Sequence, residues 1–269
     1  MTSVDLVVIG NLLLDDLPHG VDIPGGAALF TALAARCQGL SVAVHSVVGD
    51  DYPLQWLEEA GIHLSLKRLD GPGGRTVIRY TPQGRTLQHC GPCHRELSPS
   101  HLHPYQARMV HIAPMPTDMQ AFHLAGCAPG TALLDPYPVL DAQTWGQFSS
   151  LRDRLAALLI NEEECFLDPA GLESDVWAVL KQGARGGCST NPTCAWTPAR
   201  ADILDLTGAG DAFAAGLAAG LLRGEPHQQA LETAAQTAAW ALPMVGAEAL
   251  YLRALTRGEL SAPGERPTL

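Results

Sequence analysis

Short, almost wholly apolar runs recur along the chain. They fall at residues 4–10, 41–48, 62–66, 109–113, 131–135, 155–160 and 176–180. Runs of this length, ended by Gly, Asn or Asp, predict strands buried on both faces, as in a parallel sheet. Between them lie longer stretches with helical spacing. Gly25-Gly26 opens a helix over 27–38 that stops at Gly39. Gly49-Asp50-Asp51 caps a helix reaching Ala60-Gly61, and further helices are predicted at 117–127 and 139–150. Short strands near 187–197 and 200–204 lead to three closing helices at 211–223, 227–242 and 247–254. The Pro-rich tail from Ser261 is expected to fray.

Two segments break this rhythm. Residues 11–24 form a turn-rich connection carrying Asp15 and Asp16. Residues 76–81 and 85–89 are β-rich and flank Pro82-Gln83-Gly84, which predicts a hairpin projecting from the main body as part of a small sheet. Strands alternating with helices predict an α/β fold, a mostly parallel sheet covered on both faces. Ligands of such sheets sit beyond the carboxyl ends of the strands. Asp15, Asp135, Asn161, Gly183 and Asp211 all fall at or just after expected strand ends, so they are candidates to line one crevice. No internal repeat and no low-complexity linker divides the chain.

Composition narrows the partners. The 269 residues, 46% hydrophobic and 17% charged, suit a globular domain with a substantial core. The net charge of −11 argues against nucleic acid, whose phosphates need a positive face. It leaves room for a nucleotide held at a local anion site. No apolar run is long enough to span a bilayer, so no membrane partner is expected. Seven scattered cysteines and the absence of a leader at the N-terminus fit a reduced, cytoplasmic setting.

The chemistry concentrates in Asp205-Leu206-Thr207-Gly208-Ala209-Gly210-Asp211, followed by an Ala/Leu-rich helix. The small residues let backbone N–H groups approach a ligand, and a helix start favours an anion. Asp211 stands between loop and helix. A carboxylate there either caps the helix or serves as a base beside an anion hole. Ala212, Gly216 and Gly220, four residues apart, make a face that permits close packing against the sheet.

The heptad resembles the C-terminal signature D-T-x-G-A-G-D of the PfkB, or ribokinase-like, carbohydrate kinases. Other landmarks follow in order. Gly10 with Asp15 five residues on is similar to the first, where the family's Asp binds sugar hydroxyls. Gly25-Gly26 is similar to the Gly-Gly helix start. Phe30 stands where the family commonly has Asn; it is either core filler or an apolar wall for a ring face. Gly-Gly-Ala-Ala-x-Phe resembles the myo-inositol kinase branch, as do the reduced connection between Asp15 and Gly25 and the segment from Arg85 to Ser100. Asn161-Glu162-Glu163-Glu164 resembles the N-x-x-E motif of the Mg²⁺–phosphate network; on residues alone it also reads as an acidic helix start. Lys181-Gln182-Gly183-Ala184-Arg185-Gly186 resembles the nucleotide-side T-x-G-x-x-G turn, with Lys181 replacing Thr.

The resemblance implies a single kinase domain over residues 1–269, a ribokinase-like three-layer sandwich with a small β lid from about 11–24 and 63–95. It implies transfer of the γ-phosphoryl of ATP to a hydroxyl of a sugar or polyol, inositol-like in the branch named above. Asp211 is then the base, with Gly208, Ala209 and Gly210 as the anion hole. Asp15, Gly25, Gly26 and Phe30 face the acceptor, with Asp135 beside them. Lys181, Gly183, Gly186 and Thr207 face the nucleotide. Asn161 and Glu164 order the waters of Mg²⁺, and Asp205 joins a monovalent cation (K⁺) site, as in some relatives. A homodimer through the lid is a further family trait. The alternatives are a nucleoside kinase of the same family and a non-catalytic sugar or nucleotide sensor. His89-Cys90-Gly91-Pro92-Cys93-His94, with His101 and His103, suggests half of a zinc site, but thiols and imidazoles at the root of the lid are the preferred reading.

Overall fold

The computed structural model describes residues 3–81, 84–91, 106–137, 139–167 and 175–260. In chain order these contain β1 (Ser3–Ile9), β2 (Leu13–Leu17), β3 (Gly20–Gly25), α1 (Ala27–Cys37), β4 (Val42–Val48), α2 (Gln55–Glu59), β5 (His63–Arg68), β6 (Arg75–Thr81), β7 (Gly84–Cys90), β8 (Gln106–Ile112) and α3 (Thr117–Ala125). They continue with β9 (Ala132–Leu134), α4 (Ala142–Phe148), β10 (Leu155–Asn161), β11 (Ala178–Lys181), β12 (Gly187–Thr190), β13 (Cys194–Trp196), α5 (Ala209–Leu222), α6 (His227–Ala239) and α7 (Glu248–Leu260).

The main sheet runs β13-β12-β11-β10-β9-β8-β1-β4-β5. Its strands pair in parallel from β5 to β11, and β12 and β13 add an antiparallel edge. The apolar runs are buried because both faces are covered. One face packs a core with α1, α5, α6 and α7, built around Leu29, Leu33, Leu217 and Leu231. The other packs Ile112, Leu124, Phe148 and Leu158 with α3 and α4. This is the α/β sandwich that the alternating rhythm predicts. Among the described residues, no helix is long and apolar enough to cross a membrane.

A second sheet, β3-β2-β6-β7, stands off the first. The hairpin β6–β7 is as expected. The connection read as turn-rich is itself two strands, β2 and β3, joined across Leu13 and Gly25. Asp15 is thus held in a lid strand. β5, expected within the lid, pairs instead with β4 as the edge of the main sheet. Its small-residue successor, Gly71 to Gly74, carries the chain across to the lid, with Gly71 and Gly73 N–H groups donating to Asp50 and Asp51. Residues 200–204, expected as a strand, are irregular. The small face of α5 meets α6 rather than the sheet: a Cβ on Gly216 would come within 2.7 Å of Ala234 Cα. Of the His89–His94 cluster, Pro92, Cys93 and His94 fall outside the described residues, as do His101 and His103.

Candidate active site

Order reverses in the sheet between β1 and β8, whose chains continue to opposite sides. Such a reversal opens a crevice at the strand ends. The chain after β1 and β8, the ends of β9, β10 and β11, and the first turn of α5 lie around this end of the sheet.

The helix start of α5 is built by Gly208. Its φ of +76° is in the left-handed region, where a side chain is strained. A Cβ there would also overlap the ring of Phe30. Phe30, expected either to fill the core or to wall the acceptor, is 1% exposed and packs beneath Gly208. The structure therefore makes it the floor of the glycine loop, not a surface open to a ligand. No side chain caps α5, and Asp211 lies half-buried in its first turn. Asp211 is therefore not the N-cap; Gly208 is. Ala209 N–H makes a long turn hydrogen bond of 3.4 Å to the Leu206 carbonyl.

Asp15 faces this turn from the lid. It is 4% exposed and accepts from the Gly26 N–H. Burial pushes its carboxyl up to about 7, and the negative charges of Asp211, Asp205 and Asp16 add to the rise. Gly25 and Gly26 exist to permit this approach. A Cβ on Gly25 would overlap the Asp15 carboxylate, and Gly26, at φ +90°, turns the chain into α1 against the Asn11 carbonyl. The buried Tyr52 hydroxyl, 3.1 Å from the Gly25 carbonyl, fixes that glycine from the body side.

Lys181, at the end of β11, reaches across rather than out. Its Nζ lies 2.9 Å from Asp135 Oδ2, with the two side chains 10% and 4% exposed. A Cβ on Gly210 would stand 3.6 Å from the same Nζ. The lysine thus places a largely buried cation beside the first turn of α5, where it could pair with an anion. Asp135, expected at the acceptor, is committed to this lysine. Its other oxygen, Oδ1, is buried with no hydrogen-bond partner.

Asn161 Nδ2 donates to Glu164 Oε2 at 2.6 Å, which fixes both at the end of β10. Glu162 is drawn away, paired with Arg185 and accepting from Gln182 at 3.1 Å. The favoured member of the acidic run is therefore Glu164. In the adjoining turn Gly183 is open, whereas Gly186 is buried with no room for a Cβ against the Trp196 carbonyl. Gly183 can meet a ligand; Gly186 holds the turn to β13.

Asp205 and Thr207 form a clasp. Asp205 Oδ1 accepts from Thr207 N–H and Oγ1 at 2.9 and 2.8 Å, and Oδ2 accepts from Gly246 N–H at 2.8 Å. Thr207, expected on the nucleotide side, is buried with its hydroxyl given to Asp205. Asp205, expected in a cation site, joins the signature loop to the chain before α7 through three protein donors. A cavity of about 580 Å³ lies nearby between Arg200, the end of α6 and α7, lined by Trp240, Met244, Leu252 and Arg253. It shares no lining residue with the carboxylate crevice.

The sequence reading missed Tyr52, Thr31 and His111. His111 carried a signal, a lone imidazole in the apolar run of β8. Thr31 Oγ1 is 3.3 Å from the Asp211 carbonyl and 3.2 Å from His111 Nδ1. Burial lowers His111 to about 4, so it is neutral at physiological pH. Among the described residues, no group of three His, Cys, Asp or Glu is gathered to hold a metal. The oxygen donors of Asn161 and Glu164 suit Mg²⁺, which takes few direct protein ligands and keeps its waters.

Comparison with known proteins bears on the family and the fold. Residues 175–251 match the model of the pfkB family carbohydrate kinases. A cytidine kinase of Thermococcus kodakarensis is 28% identical over 261 residues, covering 84% of this chain and 91% of that protein. The fold is shared with an adenosine kinase from Sinorhizobium meliloti, at a TM-score of 0.72 and 17% identity over 96% of this chain and 99% of that one. It is also shared with a putative ribokinase II from E. coli in complex with ATP and Mg²⁺, at a TM-score of 0.70 and 16% identity over 95% of this chain and 99% of that one. The segment that carries the signature thus matches the pfkB carbohydrate kinase model, and the fold is shared with these kinases along the length of the chain.

Proposed function

We propose that the protein transfers the γ-phosphoryl group of ATP to a hydroxyl of a nucleoside, with Asp211 as the general base. Kinase activity and ATP use are supported by the match of residues 175–251 to the pfkB carbohydrate kinase model and by the fold shared with an ATP- and Mg²⁺-bound ribokinase II. The acceptor class rests on the likeness to a cytidine kinase over most of both chains, with an adenosine kinase among the shared folds. The observation that carries the chemistry is that the buried Asp15 feels the charge of Asp211, which stands at a helix start that no side chain caps. The inositol-like reading leaned on the Gly25–Phe30 form, the short connection from Asp15 to Gly25 and the segment from Arg85 to Ser100; of these, Phe30 lies in the core.

Asp15, seated by Gly25 and Gly26, accepts hydrogen bonds from acceptor hydroxyls and turns the reacting one toward Asp211. Asp211 takes the proton of that hydroxyl as it attacks phosphorus. The N–H groups of Gly208, Ala209 and Gly210 and the Lys181 ammonium stabilise the charge on the phosphoryl oxygens, where a preformed low-dielectric site is most effective. Gly183 lets the nucleotide lie close to the β11 turn. Asn161 and Glu164 would hold Mg²⁺, which would supply neutralisation of the phosphate charge. The lid strands that carry Asp15 exclude water, which would otherwise compete as acceptor.

An acceptor panel with ADP release as readout tests this. Cytidine, adenosine and other nucleosides are expected to turn over; turnover confined to ribose, fructose, 2-keto-3-deoxygluconate or myo-inositol would overturn the acceptor assignment. ATP binding without turnover on any acceptor would favour a sensor.

A further inference from the structure

The buried unit Thr31–His111 plays no part in the chemistry above, yet it touches the base. Thr31 is on α1, the helix that starts at Gly26 and so carries the acceptor side of the crevice. Its hydroxyl donates to the backbone carbonyl of Asp211 at 3.3 Å. A threonine has one proton to give. With that proton on the Asp211 carbonyl, the 3.2 Å contact to His111 Nδ1 requires the imidazole to donate there. His111 Nδ1 therefore carries the proton, and in the neutral ring Nε2 is a bare acceptor. That Nε2 is fully buried and has no hydrogen-bond partner. Two charged groups act on the ring, Asp135 and Lys181, the ion pair beside Gly210.

Geometry thus joins three elements that no backbone pairing connects. Gly26 of α1 seats Asp15, Thr31 of α1 holds the first turn of α5, and His111 of β8 fixes the direction of the Thr31 hydroxyl. The hold is lateral, since it fixes the Asp211 carbonyl and takes none of the N–H groups at the uncapped helix start. We infer that Thr31 and His111 are positioning residues, which set the base Asp211 at a fixed distance from the acceptor held by Asp15. The inference rests on the role proposed for Asp211. A side chain that fixes the base acts on turnover and leaves ATP binding alone, because nucleotide contacts come from β11 and the glycine loop. Displacing a reacting group by about 1 Å costs up to about a hundredfold in rate.

Four variants test it, Thr31→Val, Thr31→Ser, His111→Leu and His111→Asn, with the nucleoside that turns over fastest in the acceptor panel. Serine keeps the hydroxyl, and the Asn amide keeps a donor near the place of Nδ1. Thr31→Val and His111→Leu are expected to lower kcat by about tenfold or more, with KM for ATP within about twofold. Thr31→Ser and His111→Asn are expected to recover most of the loss. In an Asp211→Asn background, Thr31→Val should have no further effect on the residual rate, because the group it positions is gone. Parental kcat in Thr31→Val, loss not recovered by serine, or a full further loss in the Asp211→Asn background would each overturn the inference.

Hydrogen exchange of amides 209–215 provides a reading that needs no acceptor. Thr31→Val should speed exchange there without lowering Tm by more than a few degrees, and unchanged exchange would also overturn it. Should His111→Leu fail to fold, Thr31→Val decides alone. An Asp211→Asn enzyme that works at the parental rate sinks the role of the base instead, whatever Thr31 does.

Discussion

The ring of Phe30 lies directly beneath Gly208, so that the glycine loop of the signature rests on a core aromatic. Phe30 comes from α1, the helix started by Gly26, and Gly208 from the start of α5. Gly208→Ala combines a left-handed φ with overlap on that ring. It should lower stability by about 1–3 kcal/mol and reduce kcat more than its stability loss explains. Adding Phe30→Leu should return part of the stability by making room, but not the part due to φ. Urea unfolding and steady-state rates on the single and double variants check this.

Removing the base is the direct test of the chemistry. Asp211→Asn keeps size and leaves the first turn of α5 in place. Turnover should fall by about two to four orders of magnitude with an unchanged Tm. A variant that phosphorylates its acceptor at the parental rate would remove Asp211 from the reaction.

Asp15 gives the protein a pH dependence near neutrality. Its carboxyl, raised to about 7 by burial, is protonated in the free protein below that pH and accepts from two hydroxyls at full strength when ionised. Acceptor kcat/KM should therefore rise as pH increases through about 7. Asp15→Asn should lower kcat/KM and flatten that rise, measured from pH 5.5 to 8.5 at saturating ATP.

Stability should respond to acid with a sign fixed by three buried groups. Burial lowers His111 and His123 to about 4, so on falling pH the unfolded chain binds a proton on each near 6.5 while the native protein does not. That destabilises the fold as pH falls from about 6.5 toward 4. Asp15 acts oppositely, since the native protein holds a proton that the unfolded chain has released between 3.8 and about 7. Two histidines less one carboxylate leave about one proton, or about 1.4 kcal/mol per pH unit. Asp15→Asn should steepen the loss toward two protons, and His123→Leu should shallow it. Urea unfolding at pH 4.5 to 6.5 compares the three.

Lys181 and Asp135 should behave as a pair. Lys181→Met leaves Asp135 buried and unpaired, which typically costs about 3–5 kcal/mol. Lys181→Met with Asp135→Leu removes both charges and should recover most of that stability. Turnover should not recover, because the cation beside Gly210 is still missing. A double variant with parental kcat would remove Lys181 from the phosphoryl site.

What the sequence determined by itself was the local part. The apolar runs set the strands, because a strand buried on both faces has no polar side to alternate. The small residues 208–210 followed by an Ala/Leu helix marked the helix start at Gly208, with Asp211 in its first turn, because those features are contiguous in the chain. The lid hairpin showed through its turn residues. What only the tertiary structure decided were the partners. Asp135 meets Lys181 across 46 residues, Asp205 meets Gly246 across 41, and Thr31 meets His111 across 80. Each of these side chains reads in sequence as a polar residue with several possible fates. Packing chose one, because a polar group taken from water must find its partner wherever the fold brings one within reach. The same logic moved Phe30 from the crevice to the core, since the left-handed turn at Gly208 leaves a space that only a large apolar ring from α1 fills.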